Sequence, residues 1–393
     1  MSPARQWPSA RNENTKGSSV PKSTSDQQLD EFLEIRKPGA HLEDGVIQDD
    51  FVLMLGVDLT NFPKFPRVDD KVTYAKGDLD IRDQIHVDSG ADLPDYSGPY
   101  RADLRYTDFS AEALATKFLP WAEVYRESCI DAWATEVAKR YGAEAMADIE
   151  WTAWNDQIAP ELERMKGEFL PDGTVYEDPN RQIREEDRVT TRVVYTGLFT
   201  PGPDTVSLSK SQLVTWLLGS HEFLLQCIEG WAAQIVVRYG LDQMFDTQWK
   251  IWGETVLPVA KRLKAEHLGI TGDTVADWMK DLQVDATAMP GKAFDVSFEM
   301  PEPEVGIMTF NRCVAADQWE TMGRPDILEK NCHSTCPKSM IVTTKMYNPN
   351  MKVDILAIPP RKDPGDVCCK WRFSMRDESD PEYVPVTLTT KPD

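Results

Sequence analysis

One stretch of this chain occurs twice, and that repeat limits the folds open to it more than any other feature. Cys129-Ile-Asp-Ala-Trp133 matches Cys227-Ile-Glu-Gly-Trp231 at an offset of 98 residues. The same offset carries Arg140-Tyr-Gly142 onto Arg238-Tyr-Gly240, and Trp151 and Trp154 onto Trp249 and Trp252. It also carries Pro160 onto Pro258, Arg164 onto Arg262 and Lys166 onto Lys264. Agreement without a gap at so many positions, several of them Trp, marks a duplicated unit. Within each copy the apolar residues recur at helical spacing, as Leu224, Ile228, Trp231, Ile235 and Val236 do. Arg-Tyr-Gly then reads as a helix end, with a cation near the carboxyl-terminal dipole and a Gly free to take positive φ. The expected arrangement is two helical units packed on each other with approximate two-fold symmetry, their tryptophans turned toward the sister copy.

The rest of the chain is ordered around those copies. Residues 1–28 are rich in Ser, Pro, Lys, Asn and Gln and read as a disordered tail. Residues 29–108, punctuated by prolines and aspartates, read as an extended arm over the body. The first repeat occupies 109–170 and the second 208–290. Between them, 171–207 resembles a hairpin insertion, because residues 188–199 alternate like a strand. After Gly291 the period changes. Strands are expected over 293–300, 305–312, 351–358 and 368–375, with helical stretches at 314–322 and 326–347. Residues 291–380 therefore form a small α+β module, and 381–393 a tail. The fold class is α+β: a tandem-duplicated helical unit packed on a carboxyl-terminal module with a short antiparallel sheet.

Composition narrows the partners. The 393 residues include 43 basic and 65 acidic ones, a net charge of −22. That field repels phosphate backbones and anionic membranes, so neither nucleic acid nor membrane is an expected partner. No apolar run reaches the length of a bilayer span, and no amino-terminal stretch has the pattern of an export signal. A cytoplasmic location is expected. A small-molecule substrate and a homo-oligomer are the remaining expected partners.

Seven cysteines, an odd count, point to thiols and not to a disulfide framework. Five of them, Cys313, Cys332, Cys336, Cys368 and Cys369, fall within 57 residues. Strand alternation sets Cys369 on the face of Trp371 and Phe373, with Cys368 on the opposite, outer face. Pro337 suits the first position of a helix, which would make Cys336 its cap and lower its pKa, with His333 close enough to help deprotonate it. Buried free thiols are the plainer reading of each cysteine taken alone. The spacing lacks the paired short intervals of a zinc ribbon, and no cofactor is expected. In the helices, Asp131 and Glu229 keep a carboxylate in both copies. With His221 they offer an alternative metal site at a bundle core.

The series Cys313…Gly323-Arg-Pro325…Cys336…Tyr347-Asn-Pro349…Gly365-Asp366…Cys369-Lys-Trp-Arg-Phe373 resembles the bacterial L-2-amino-thiazoline-4-carboxylate hydrolase family. It is most similar to that family's uncharacterised relatives, which carry a helix with an acidic residue just before a Trp, as in Ile228-Glu-Gly-Trp231. The resemblance covers roughly residues 209–375, and the second helical copy and the long arm depart from it. It implies hydrolytic opening of a small cyclic C–N or C–S substrate, with the family's ordered cysteines at Cys313, Cys336 and Cys369.

The expected site lies between the second repeat and the carboxyl-terminal module. Cys336 or Cys313 is its nucleophile, activated by a helix terminus or by His221 or His333, and Glu229 orients substrate or moves a proton. Trp231, His333, Asn348 and Asp366 are the expected substrate contacts. Two rivals stand beside this reading: a non-catalytic small-ligand binder, and a metal-dependent lyase or isomerase using His221, Glu229 and thiols.

Overall fold

The structure is a computed structural model. It describes residues 90–163, 179–188, 191–195, 205, 208–285, 294–321, 325–363 and 365–384. The expected amino-terminal tail, most of the expected arm and residues 385–393 of the expected carboxyl-terminal tail lie outside these residues.

The repeat is visible element by element. Helix α1 (Leu119–Tyr141) ends at Gly142 and is followed by α2 (Ala143–Ala153). Helix α3 (Lys210–Tyr239) ends at Gly240 and is followed by α4 (Leu241–Ile251). Both glycines are left-handed, at φ 92° and 88°, a conformation that costs any residue with a Cβ. Each shorter helix runs into a π-turn, Trp154–Ile158 in one copy and Trp252–Val256 in the other, 98 residues apart. Helix α5 (Leu257–Leu268) continues the second copy, and α6 (Val275–Val284) follows it.

Equivalent residues of the two copies meet. Tyr141 stacks on Tyr239 with ring centroids 3.9 Å apart, and Trp133 lies 6.5 Å from Trp231. Like-with-like contacts at positions eight residues apart require α1 and α3 to run side by side and parallel, about a two-fold axis along them. Ion pairs repeat the symmetry: Arg140 reaches Asp246 at 3.5 Å, and Arg238 reaches Asp148 at 2.7 Å. At the crossing of α3 with the π-turn of the first copy, a Cβ on Gly230 would meet Ile158 at 2.9 Å. The equivalent positions in the other copy hold Ala132 and Val256. One copy pairs the smaller backbone residue with the larger partner, and the other copy does the reverse.

Among the described residues, four prolines stand inside continuous helices, where a missing N–H and a clash with the preceding turn would ordinarily break them. Each follows a π-turn by two residues. Pro120 follows Leu114–Phe118, Pro160 follows Trp154–Ile158, Pro258 follows Trp252–Val256, and Pro337 follows Lys330–Thr335. The residue before each proline donates five residues back, so the turn widens and the proline ring is accommodated.

The carboxyl-terminal module is a four-stranded antiparallel sheet of order β1-β2-β4-β3: β1 (Phe294–Glu302), β2 (Val305–Cys313), β3 (Met351–Ala357) and β4 (Cys369–Met375). Helices α7 (Val314–Thr321) and α8 (Cys336–Tyr347) join β2 to β3. Val296, Phe298, Met308, Phe310, Trp371 and Phe373 share the buried face, which α6 covers through Trp278 against Phe373. No helix among the described residues is long and apolar enough to cross a membrane.

The strand expected within 188–199 is not formed in its described part. The backbone N–H of Val193 donates to Glu150 at 3.2 Å, and that of Val194 to Asn180 at 2.7 Å. Alternating burial there comes from an extended segment held by side chains, with Arg192 on Glu150, and not from a ladder. Of the arm, residues 90–108 do lie on the body: the Tyr96 amide donates to the Leu268 carbonyl at 2.8 Å, and its hydroxyl donates to Gln283.

Candidate functional site

The end of β2, the start of α7, the π-turn before α8 and the loop entering β4 bring thiols together. All seven cysteines are free. Cys313, the last residue of β2, immediately precedes α7, where the backbone amides of Ala315 and Ala316 favour its ionised form. Those are the donors that a helix leaves unmet and that a cap residue satisfies. Cys313 and Cys368 lie near enough for each to shift the proton affinity of the other, and Cys369 follows Cys368 in the chain. The Trp371 indole N–H reaches the Cys369 sulfur at 3.2 Å, and the Asn331 amide lies 3.7 Å from the Cys336 sulfur.

The neighbouring Cys368 raises the Cys313 thiol well above the ordinary thiol range, and burial adds to this; the two amides partly offset both. Burial, with Cys313 close by, pushes Cys336 up to about 12. Cys332 is likewise raised by burial and by its neighbours Cys336 and Cys313. For Cys368 the neighbouring Cys313 acts downward, but Cys369 and burial outweigh it. At rest these thiols hold their protons.

Two contacts pin the loop between β3 and β4 over the site. The His333 ring Nε2–H donates to the Pro359 carbonyl at 2.6 Å. Arg361 binds Glu320 at 3.0 Å through Nε and also pairs with Asp317, both on α7. Arg361 favours the ionised form of Cys368.

The expected residues fall in several places. Cys313 and Cys369 both stand beside Cys368, and Cys336 stands beside Cys313. Cys336 is not a helix cap, however. Thr335 and Cys336 are both right-handed helical, and the Cys336 N–H bonds the Asn331 carbonyl inside the helix. Pro337 is absorbed by the π-turn instead of opening a helix, so no free amides stabilise that sulfur. The expected inside-outside order of the last pair is also reversed: Cys368 is 1% exposed, and Cys369 is only partly buried. Cys369 does share the face of Trp371 and Phe373, but Cys368 precedes the ladder, and its amide turns in to the Phe310 carbonyl at 2.9 Å.

His221 packs edge-on against Trp121 at 5.4 Å, and burial lowers its pKa to about 4. Glu229 is held well above the carboxylate range by burial and by Glu161 and Glu222, while its repeat counterpart Asp131 is exposed. Eight residues apart on α3, His221 and Glu229 are separated by about 12 Å along the helix. Trp231 lies between the repeats and donates to the Tyr195 hydroxyl at 3.1 Å. Asn348 closes α8 and accepts from the Asn350 amide at 2.9 Å. Asp366 builds a turn by accepting from the Asp363 amide at 3.1 Å. Among the described residues, no group of three or more His, Cys, Asp or Glu is arranged to hold a metal ion.

Sequence reasoning missed Cys368 and a second buried polar group. Lys264 donates to Asp281 at 2.8 Å and to Asp285 at 2.6 Å, and Tyr347 donates to Asp281. Burial opposes the Lys264 charge, but the two carboxylates outweigh it and keep the ammonium charged. The one available signal was a Lys kept in both repeat copies. Comparison of the chain with protein-family models, curated proteins and solved structures finds no match.

Proposed function

We propose that this chain is a thiol-dependent hydrolase that opens a small cyclic C–N (or C–S) bond, with Cys313 as the nucleophile. The observation that supports this reading is the position of Cys313, the residue immediately before α7, where the first amides of that helix, those of Ala315 and Ala316, favour its ionised form. Amides at a helix start favour a thiolate as it forms, and also negative charge developing on a bound carbon centre beside it. The Cys313 sulfur bonds to the ring carbon, the bond from that carbon to the ring heteroatom breaks, and the departing heteroatom takes the Cys313 proton. Water then cleaves the sulfur–carbon bond and restores the thiol. The ordered cysteines that resemble the aminothiazoline hydrolase family support the substrate class.

The test is turnover of L-2-amino-thiazoline-4-carboxylate by the full chain and by Cys313→Ser and Cys336→Ser variants. Cys313→Ser should lose turnover by about 100-fold or more while still melting cooperatively, and Cys336→Ser should retain most of it. Full activity in Cys313→Ser would overturn the assignment. Because burial and the neighbouring Cys368 hold the Cys313 proton, turnover should climb from neutral into alkaline pH.

A further inference from the structure

We propose that β3 is a homodimer interface, pairing antiparallel with β3 of a second copy of this chain about a two-fold axis at Val353. In the sheet order β1-β2-β4-β3, β3 is an edge, and among the described residues no strand lies on its other side. Such an edge carries a row of backbone donors and acceptors that a second strand can meet. Their phase is set on the β4 side. The Arg376 amide donates to the Asn350 carbonyl at 2.8 Å, and the register that continues this rung pairs Lys352 with Ser374 and Asp354 with Arg372. Positions that bond one neighbour alternate along a strand. Lys352 and Asp354 therefore turn their backbone groups to β4, and Val353 and Ile355 turn theirs to the open side.

The side chains select the partner and fix the register. Ile355 and Leu356 are 45% and 50% exposed, although Ile355 shares the face on which Trp371 and Phe373 are buried. Lys352 and Asp354 lie on the opposite face, 3.1 Å apart. With the axis at Val353, Lys352 of each copy faces Asp354 of the other, at the positions where opposed side chains come closest. Ile355 then faces Met351 of the other copy. Leu356 comes to Asn350 of that copy, whose side chain holds the exposed Val384 through bonds of 2.8 and 2.7 Å. Opposite charges meet twice, apolar residues meet at both ends, and the two sheets become one. An axis at Lys352 or at Asp354 would instead set like charges against each other.

The experiment measures the mass of the full chain by sedimentation over a range of concentrations, for the unaltered protein and for Lys352→Asp and Asp354→Lys variants that melt as it does. The unaltered chain should sediment as a reversible dimer. Each variant alone opposes like charges twice across the axis, which should raise its dissociation constant about tenfold or more. Mixed in equal amounts, the two variants again oppose unlike charges and should recover the dimer. A monomeric unaltered chain would overturn the proposal, because the edge would then be covered by something other than a second copy. A dimer that both variants leave intact would overturn it too, since its interface would lie elsewhere. So would a mixture that stays as dissociated as the variants alone, because the charges would then not face each other.

Discussion

His221 shows how burial converts a residue type into a pH response. Its folded pKa lies near 4, below the ordinary 6.5, because burial and the nearby Lys264 disfavour the charged ring more than Asp285 favours it. A depressed pKa contributes stability that is fully present above pH 6.5 and is lost as pH falls through 4. The loss should reach about 3 kcal/mol. His221→Phe should flatten that acid limb in melting curves taken across this range. An unchanged limb in the variant would assign the acid sensitivity to other groups. The same scale explains where cysteine reading fell short. Period-two alternation orders Trp371 and Phe373 correctly because both lie inside the ladder, but it says nothing of Cys368, one residue before the first paired position. Pro337 looked like a helix start because proline usually is one. The three other helix-interior prolines among the described residues, each two residues beyond a π-turn, show the alternative this fold prefers.

At the scale of elements, the duplication was legible because tryptophans and glycines repeat at one offset, and such residues answer to geometry. Parallel α1 and α3 could not be read from periodicity, which fixes the buried face of a helix but not the direction of its neighbour. The Gly230–Ile158 contact follows from that direction and gives a test. Gly230→Ala should cost about 1–3 kcal/mol through overpacking. Adding Ile158→Val should recover part of the loss, since the sister copy already holds Ala132 and Val256 at those places. Additive losses in the double variant would mean that the two sites do not exchange volume. The thiol cluster likewise needed the sheet order. Only the adjacency of β2 and β4 sets Cys313 beside Cys368, and residues more than fifty apart in sequence give no local sign of it.

At the scale of the whole molecule, the repeats and the carboxyl-terminal module share a buried polar seam. Lys264 of α5 holds Asp281 of α6 and Asp285 just beyond it, while Tyr347 of α8 closes on Asp281 from the module side. Lys264→Met should cost about 3–5 kcal/mol by leaving two buried carboxylates uncompensated. A melting temperature close to that of the unaltered chain would contradict this. The seam braces the module whose strands and α7 hold the thiols in register. The account as a whole turns on which thiol reacts. Its most direct measurement is competitive labelling of the native chain with limiting isotopic iodoacetamide, read cysteine by cysteine by mass spectrometry from neutral to alkaline pH. The account predicts that Cys313 is labelled first and that its rate climbs with pH; preferential labelling of Cys336, with Cys313 left unmodified, would contradict it.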